Sequence, residues 1–343
     1  MSRPGSNQKI ATLSALRGLA ALAVCWYHFT YGQSAALKHT GNYGWLGVEV
    51  FFVISGFIIP YSLYQRNYRF SDYGRFMMKR MARLHPPYLA SIFVTLLIAY
   101  GMFLAPWLHS PGPGFSLKQL ALHFFYLNDL VGQPWVNVAY WTLAIEFQWY
   151  LFVGLTFSLV AHRNPWIQTS TIIGWVTLFR IFCAQDKIVF HSLPIFLVGV
   201  FIFQYRAGLM GATRTVACLS LNFLMMEKFH GQPVAYTALA TGLLIATVSV
   251  DNRVLNWFGE ISYSVYLLHL PIGVGLIGLL SRMPYSGSYL LFIDFAGLLA
   301  TLAASWVLYR WVEAPSQGWS SRLSFGRAQA PAPQMQRVAA SAD

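Results

Sequence analysis

Residues 10–31 read IATLSALRGLAALAVCWYHFTY, and residues 43–59 read YGWLGVEVFFVISGFII. Each arm is apolar over a length close to the roughly 20 residues a helix needs to cross a bilayer. A short polar turn joins them, and the hairpin decides the fold class. Its apolar arms are interrupted by Arg17, His28 and Glu49. Ionisable groups at membrane depth are costly, so by default they mark function. Arg17 and His28 are eleven residues apart. At about 100° per residue they point within roughly 20° of one another, about 16 Å apart along the axis. A hairpin tip at Leu37–Thr40 would level His28 with Glu49, an imidazole beside a carboxylate, with Arg17 near the inner surface. The plainer reading of a membrane histidine is a packed, hydrogen-bonded side chain.

The rest of the chain supports the membrane reading. Of 343 residues, 56% are hydrophobic and only 10% charged, which excludes an ordinary soluble domain. The net charge of +12 could serve nucleic acid, but the basic residues cluster between apolar runs, as cytoplasmic loops do. Nucleic acid is therefore not an expected partner, and the bilayer is. Cys25, Cys183 and Cys218 stand alone in apolar segments, which argues against a disulfide framework. No metal-ligand spacing occurs among the nine histidines, so no metal is expected.

Ten apolar segments predict ten spans: 10–31, 43–64, 85–105, 139–161, 167–184, 189–205, 212–229, 234–250, 260–281 and 287–312. An even count places both termini on one side. Putting that side in the cytoplasm leaves Arg66, Arg69, Arg75, Lys79, Arg80, Arg83, Arg163, Arg206, Arg214 and Arg253 inside. Only Lys38, Lys118, Lys187, Lys228 and Arg282 fall outside, an asymmetry that follows the positive-inside rule. The longest outer loop, 106–138, holds the PGPG run at Pro111–Gly114 and the aromatic run HFFYLND, and is expected to be re-entrant or interfacial. The residues after Pro315 are rich in Ala, Pro, Gln and Arg and read as a disordered basic tail.

Several constellations could carry chemistry. Arg80 and Arg83 are three apart and share a helix face; paired guanidiniums suit phosphates, although positive-inside topology alone would also explain them. Glu146 in span four, just after Trp141, and Asp294 in span ten are placed at a depth similar to that of Glu49. With His28 they imply a polar cavity toward the outer face. His269, two residues before Pro271, is either part of that site or a helix-packing hydrogen bond. Glu313 and Pro315 read as a helix stop. The run GVGLIG at 273–278 follows no strand and is not a nucleotide fingerprint.

Taken together, LRGLAALAVCWYHF, GVEVFFVISGFII, KRMARLHPPY, WTLAIEFQWY, FGEISYSVYLLHLPI and YRWVEAP resemble, in order, acyltransferase family 3, the membrane O-acyltransferases of bacterial surface and secreted glycans. The resemblance covers roughly residues 8–318. It implies an enzyme that moves an acyl group, usually acetyl, from cytosolic acyl-coenzyme A to a hydroxyl, often of a sugar on the outer side. The family's first-span arginine and histidine match Arg17 and His28. Its acid before FFVxSGF matches Glu49, where aspartate is more usual. Its RxxR pair matches Arg80 and Arg83, and its WTLSxE glutamate matches Glu146. Phe147 stands where a second acid is common, and His85 near a usual aromatic.

The expectation is therefore an all-α, polytopic helical bundle of about ten transmembrane helices. Residues 1–315 form the acyltransferase domain and 316–343 the tail, in a bacterial inner membrane with both termini cytoplasmic. His28 is the expected general base and Glu49 its orienting acid. Arg17, Arg80 and Arg83 are the expected donor-binding residues, with Trp141, Glu146, His269 and Asp294 on the acceptor side or in support. Acyl-coenzyme A, usually acetyl-coenzyme A, enters as co-substrate, with no bound cofactor, and a glycan or lipid-linked sugar is the acceptor. The rival reading is a transporter or exporter of a small polar metabolite, which buried charges would also suit.

Overall fold

The computed structural model describes residues 6–31, 35–105, 114–282 and 288–323. Among them the regular structure is helical, with no strand. The α-helices are α1 (Ser6–Thr30), α2 (Ala35–Gly41), α3 (Gly47–Gln65), α4 (Tyr73–Phe103), α5 (Leu117–Phe124), α6 (Tyr140–Val160), α7 (Pro165–Phe182) and α8 (Val189–Arg206). They continue with α9 (Ala212–His230), α10 (Gln232–Thr247), α11 (Arg253–Leu268), α12 (Gly275–Leu280), α13 (Ser288–Leu308) and α14 (Ala314–Arg322). π-helical turns at His269–Val274 and Tyr309–Glu313 join α11 to α12 and α13 to α14. Local chemistry sets several ends. Ser116, Asn164 and Asn252 each accept a backbone N–H in the first turn of α5, α7 and α11, which satisfies donors a helix start leaves open. Gly231, at φ +88°, ends α9 in a conformation open to glycine.

All ten expected segments fall on helices. Among the described residues, six stretches are long and apolar enough to cross a membrane: Leu37–Gln65, Phe70–Phe103, Tyr140–Val160, Val189–Arg206, Arg253–Leu280 and Tyr289–Arg322. The chain is thus a multi-pass helical membrane protein, but the count of ten is not confirmed. Helices α7, α9 and α10 fall short for visible reasons. α10 has only 16 residues; α9 carries Arg214, Glu227 and Lys228; α7 carries Gln168 and Arg180. Span three also starts earlier than expected. α4 runs from Tyr73 straight through Pro86 and Pro87, so Arg80 and Arg83 lie on the helix itself rather than in a loop before it. The two prolines remove donors only for the carbonyls of Ala82 and Arg83. At the other end α14 covers residues 316–322, and 324–343 lie outside the described residues, as do 111–113 of the PGPG run.

The chain divides into two compact units. The first comprises Met1–Val48, Met78–Phe147 and Val250–Leu323. Its spine is α1 against α11. Gly18 lies against Phe258 and Gly259, and Gly259 lies against the Ser14 carbonyl, so the backbones meet where small residues allow it. The hairpin returns along α1 in a register fixed by three glycines. Gly41 meets Thr30, Gly44 meets the Ala23 carbonyl, and Gly47 meets the Ala20 carbonyl. Trp26 Nε1 donates to Thr40 Oγ1 at 2.9 Å in the same register, so the tip expected at Leu37–Thr40 is not found.

Aromatic packing fills the other side of this unit. Tyr88, Tyr126, Tyr140, Tyr263 and Leu267 share one buried cluster. Tyr126 stacks on Tyr88 at 4.7 Å and on Phe147 at 5.0 Å. Its hydroxyl lies 3.3 Å from His85 Nδ1. Within the loop 106–138, Gln119, His123, Tyr126, Asn128 and Asn137 are buried, while Phe124, Phe125, Leu130, Val131 and Val138 are exposed.

The second unit comprises Glu49–Met77 and Gln148–Ser249, with Ser324–Asp343 outside the described residues. It is built on α8, buried from Ser192 to Gln204. Here too a glycine pair sets the crossing, Gly56 against the Phe196 carbonyl and Gly199 against that of Val53. Trp149 and Phe52 stack on Phe196 at 4.5 and 4.9 Å. Two buried amide N–H groups are given to backbone: Gln204 donates to the Val160 carbonyl and Asn222 to that of Pro194, both at 2.8 Å.

Candidate active site

Two polar clusters form within the first unit. The first centres on His28, near the end of α1. Its ring lies 5.1 Å, centroid to centroid, from that of His269. His269 is wholly buried and opens a π-helical turn. That turn has a readable cause. Pro271 carries no N–H, so the Leu267 carbonyl loses its α-helical partner, and one residue is looped out as a π turn. The Asn137 side chain donates to this carbonyl at 3.2 Å. Gly273, in the same turn, is pressed against Phe29 and Thr301, which ties the turn to α1 and α13.

The His269 ring is fixed from one side. Its Nδ1 lies 2.6 Å from the Tyr266 carbonyl; a carbonyl only accepts, so Nδ1 carries the proton. Nε2 is then an acceptor, and it is buried with no hydrogen-bond partner among the described residues. Tyr266 continues the network. Its hydroxyl lies 2.7 Å from Thr142 Oγ1 and 3.2 Å from the Ala139 carbonyl. One turn along α6 from Thr142, the charge of Glu146 reaches the Tyr126 and Tyr266 hydroxyls. These bonds set the start of α6 level with Tyr266 and Leu267.

The second cluster surrounds Glu313. This carboxyl group, 2% exposed, accepts from Ser264 Oγ at 2.6 Å and from Gln317 Nε2 at 3.0 Å. The charges of Arg17 and Arg83 both reach it. The structure therefore brings two of the three expected donor residues to one acid that the sequence offered only as a helix stop. Arg80 is half-buried on the same helix as Arg83.

The remaining candidates are placed less centrally. Asp294 is buried on α13, and its neighbour Phe295 packs 5.6 Å from Trp26. Trp141 is 37% exposed. Glu49 opens the second unit, in the first turn of α3, with Oε2 buried and unbonded among the described residues. Asn137, Thr142 and Tyr266 were missed from sequence. The one available signal was Pro271, whose missing N–H requires an outside donor four residues back. Among the described residues no group of three or more His, Cys, Asp or Glu could hold a metal.

The chain is a multi-pass helical membrane protein in which the half-buried His28 ring meets the buried His269 ring. The family is specific. The model of the acyltransferase domain, acyltransferase family 3, matches residues 10–310, and the chain belongs to that family. It is 24% identical over 294 residues to the ORF330 protein of Acidianus two-tailed virus, covering 78% of this chain and 85% of that one. It is 24% identical over 323 residues to the peptidoglycan O-acetyltransferase OatA of Listeria monocytogenes, covering 78% of this chain and 50% of the relative. Against the O-acetyltransferase OatA of Staphylococcus aureus it is 23% identical over 367 residues, covering 90% of this chain and 57% of the relative. The chain thus spans little more than half the length of the OatA proteins. No solved structure matches it.

Proposed function

We propose that this protein is a membrane O-acetyltransferase. It takes an acetyl group from cytosolic acetyl-coenzyme A and passes it to a hydroxyl of a glycan or lipid-linked sugar. The observation that carries the reading is the contact of His28 with the buried His269 in a chain of this family. A sugar hydroxyl is a poor nucleophile, and a positioned imidazole raises its reactivity by accepting its proton. In the proposed step the acceptor oxygen attacks the thioester carbonyl while His28 takes the hydroxyl proton. The C–O bond forms, the C–S bond breaks, and the leaving thiolate recovers the proton from His28. Arg17, Arg80 and Arg83 would hold the coenzyme A phosphates, since forked guanidiniums match phosphate oxygens. Glu49 enters through its match to the family's acid and through its buried carboxylate oxygen.

This reading takes all ten apolar segments as crossings of a bacterial inner membrane, with both termini in the cytoplasm beside the donor. Purified protein in nanodiscs, given radiolabelled acetyl-coenzyme A and candidate glycans, should release coenzyme A and label the glycan. Donor consumed only with an acceptor present supports transfer. No consumption with any polysaccharide, oligosaccharide or lipid-linked acceptor, alongside transport of a labelled metabolite, would overturn it.

A further inference from the structure

We infer that His269 positions His28, by accepting a hydrogen bond from the His28 ring through its open Nε2. The inference rests on the acetyltransferase reading for its consequence, but on geometry for its content. Three constraints fix the His269 ring. The Tyr266 carbonyl holds the proton on Nδ1, and so leaves Nε2 as an acceptor. Asn137 holds the Leu267 carbonyl beneath the ring, and its own Oδ1 is fixed by the Ala139 N–H at 2.9 Å. Gly273 seats the turn on Phe29, the residue after His28. A buried acceptor with no partner is uncommon in native proteins and calls for an explanation. At 5.1 Å between centroids, a small rotation of the His28 ring closes the gap to a hydrogen bond.

The consequence is chemical. An N–H of His28 given to His269 leaves the other His28 nitrogen as the lone pair, ready for a hydroxyl proton. This is the orienting role a carboxylate plays beside a catalytic histidine elsewhere, here filled by a second imidazole. A neutral acceptor fixes the tautomer without adding a negative charge. The other titratable groups on the elements packed around the pair include Arg17, Cys25 and Tyr27 on α1, Glu260, Tyr263 and Tyr266 on α11, Glu146 on α6, and Tyr289 and Asp294 on α13.

The test compares His269→Leu, which removes the acceptor, with His269→Gln, whose side-chain oxygen reaches the Nε2 position. Transfer by His269→Leu should lose about 10- to 100-fold in kcat, as lost outer partners of functional imidazoles typically do, with the acetyl-coenzyme A KM within about twofold. His269→Gln should recover most of it. Imidazole 15N spectra, with His28 assigned by its own replacement, read the geometry without activity. His28 should show one tautomer in the parent and in His269→Gln, and a mixture in His269→Leu. An unmoved His28 tautomer would overturn the inference even if transfer were never found. A parent that transfers nothing, with the tautomer shift intact, would instead overturn the acetyltransferase reading alone.

Discussion

His123 and His269 are both buried imidazoles in the first unit, and they differ at one nitrogen. In each, Nδ1 donates to a backbone carbonyl within one turn, Gln119 for His123 and Tyr266 for His269, at 2.7 and 2.6 Å. At Nε2 they part. His123 accepts the Val136 N–H at 3.0 Å, whereas His269 meets no partner among the described residues, and its ring lies 5.1 Å from that of His28. A satisfied buried group holds the fold; an open one weakens it by about 1–3 kcal/mol and persists where it has another use. His123 thus reads as a staple of the re-entrant segment and His269 as part of the site. The Glu313 cluster sits on the satisfied side of the same divide, since both its oxygens are bonded.

Breaking the satisfied cluster should have the largest effect on stability. Glu313→Ala removes the acceptor of the Ser264 hydroxyl and the Gln317 amide and should destabilise by about 3 kcal/mol, at about 1.5 kcal/mol for each bond to a charged group. Glu313→Gln, which can still bond Ser264 and Gln317, should lose less. Thermal unfolding in nanodiscs checks both, and an alanine variant that melts with the parent would remove the cluster's structural role. Next in size is donor binding. Arg80→Ala and Arg83→Ala should each weaken acetyl-coenzyme A by about 1.5–3 kcal/mol, the range of a charge-assisted contact. Titration calorimetry showing parental affinity in both would leave the pair as a topology signal.

His123 sharpens the comparison itself. His123→Ala should destabilise by about 1–3 kcal/mol, since the Val136 N–H loses its acceptor, while turnover per folded molecule stays parental. A smaller, pH-dependent effect has the same origin. Burial pushes the His123 imidazole below its ordinary 6.5, against a weaker upward pull from the Gln119 carbonyl. The folded state therefore resists the proton that the unfolded chain takes up. Its contribution is complete above about pH 6.5 and is lost as pH falls through the folded value. Protection factors of residues 117–139, taken relative to the intrinsic exchange rate at each pH, should fall between about pH 7.5 and about pH 5 in the parent, and fall less in His123→Gln.

Hydropathy made the helices legible, because each crossing must satisfy its backbone internally and expose apolar side chains. The membrane class and the family followed from the same apolar runs and from Arg17, His28 and the RxxR pair. What stayed hidden depends on register and partner. Gly41, Gly44 and Gly47 recur every third residue, and that stripe, unread, fixed the hairpin against α1 and moved its tip. The His28–His269 contact joins helices about 240 residues apart in sequence, through a π turn that periodicity does not encode. Glu313 looked like punctuation because its partners, Ser264, Arg17 and Arg83, come from three other helices.

The most direct test of the account is the transfer rate of His28→Ala at saturating acetyl-coenzyme A, set beside His123→Ala under the same conditions and normalised to folded protein. The account predicts a loss of about 10²- to 10⁴-fold for His28→Ala with donor affinity retained, and a parental rate for His123→Ala. Near-parental transfer by His28→Ala would contradict it.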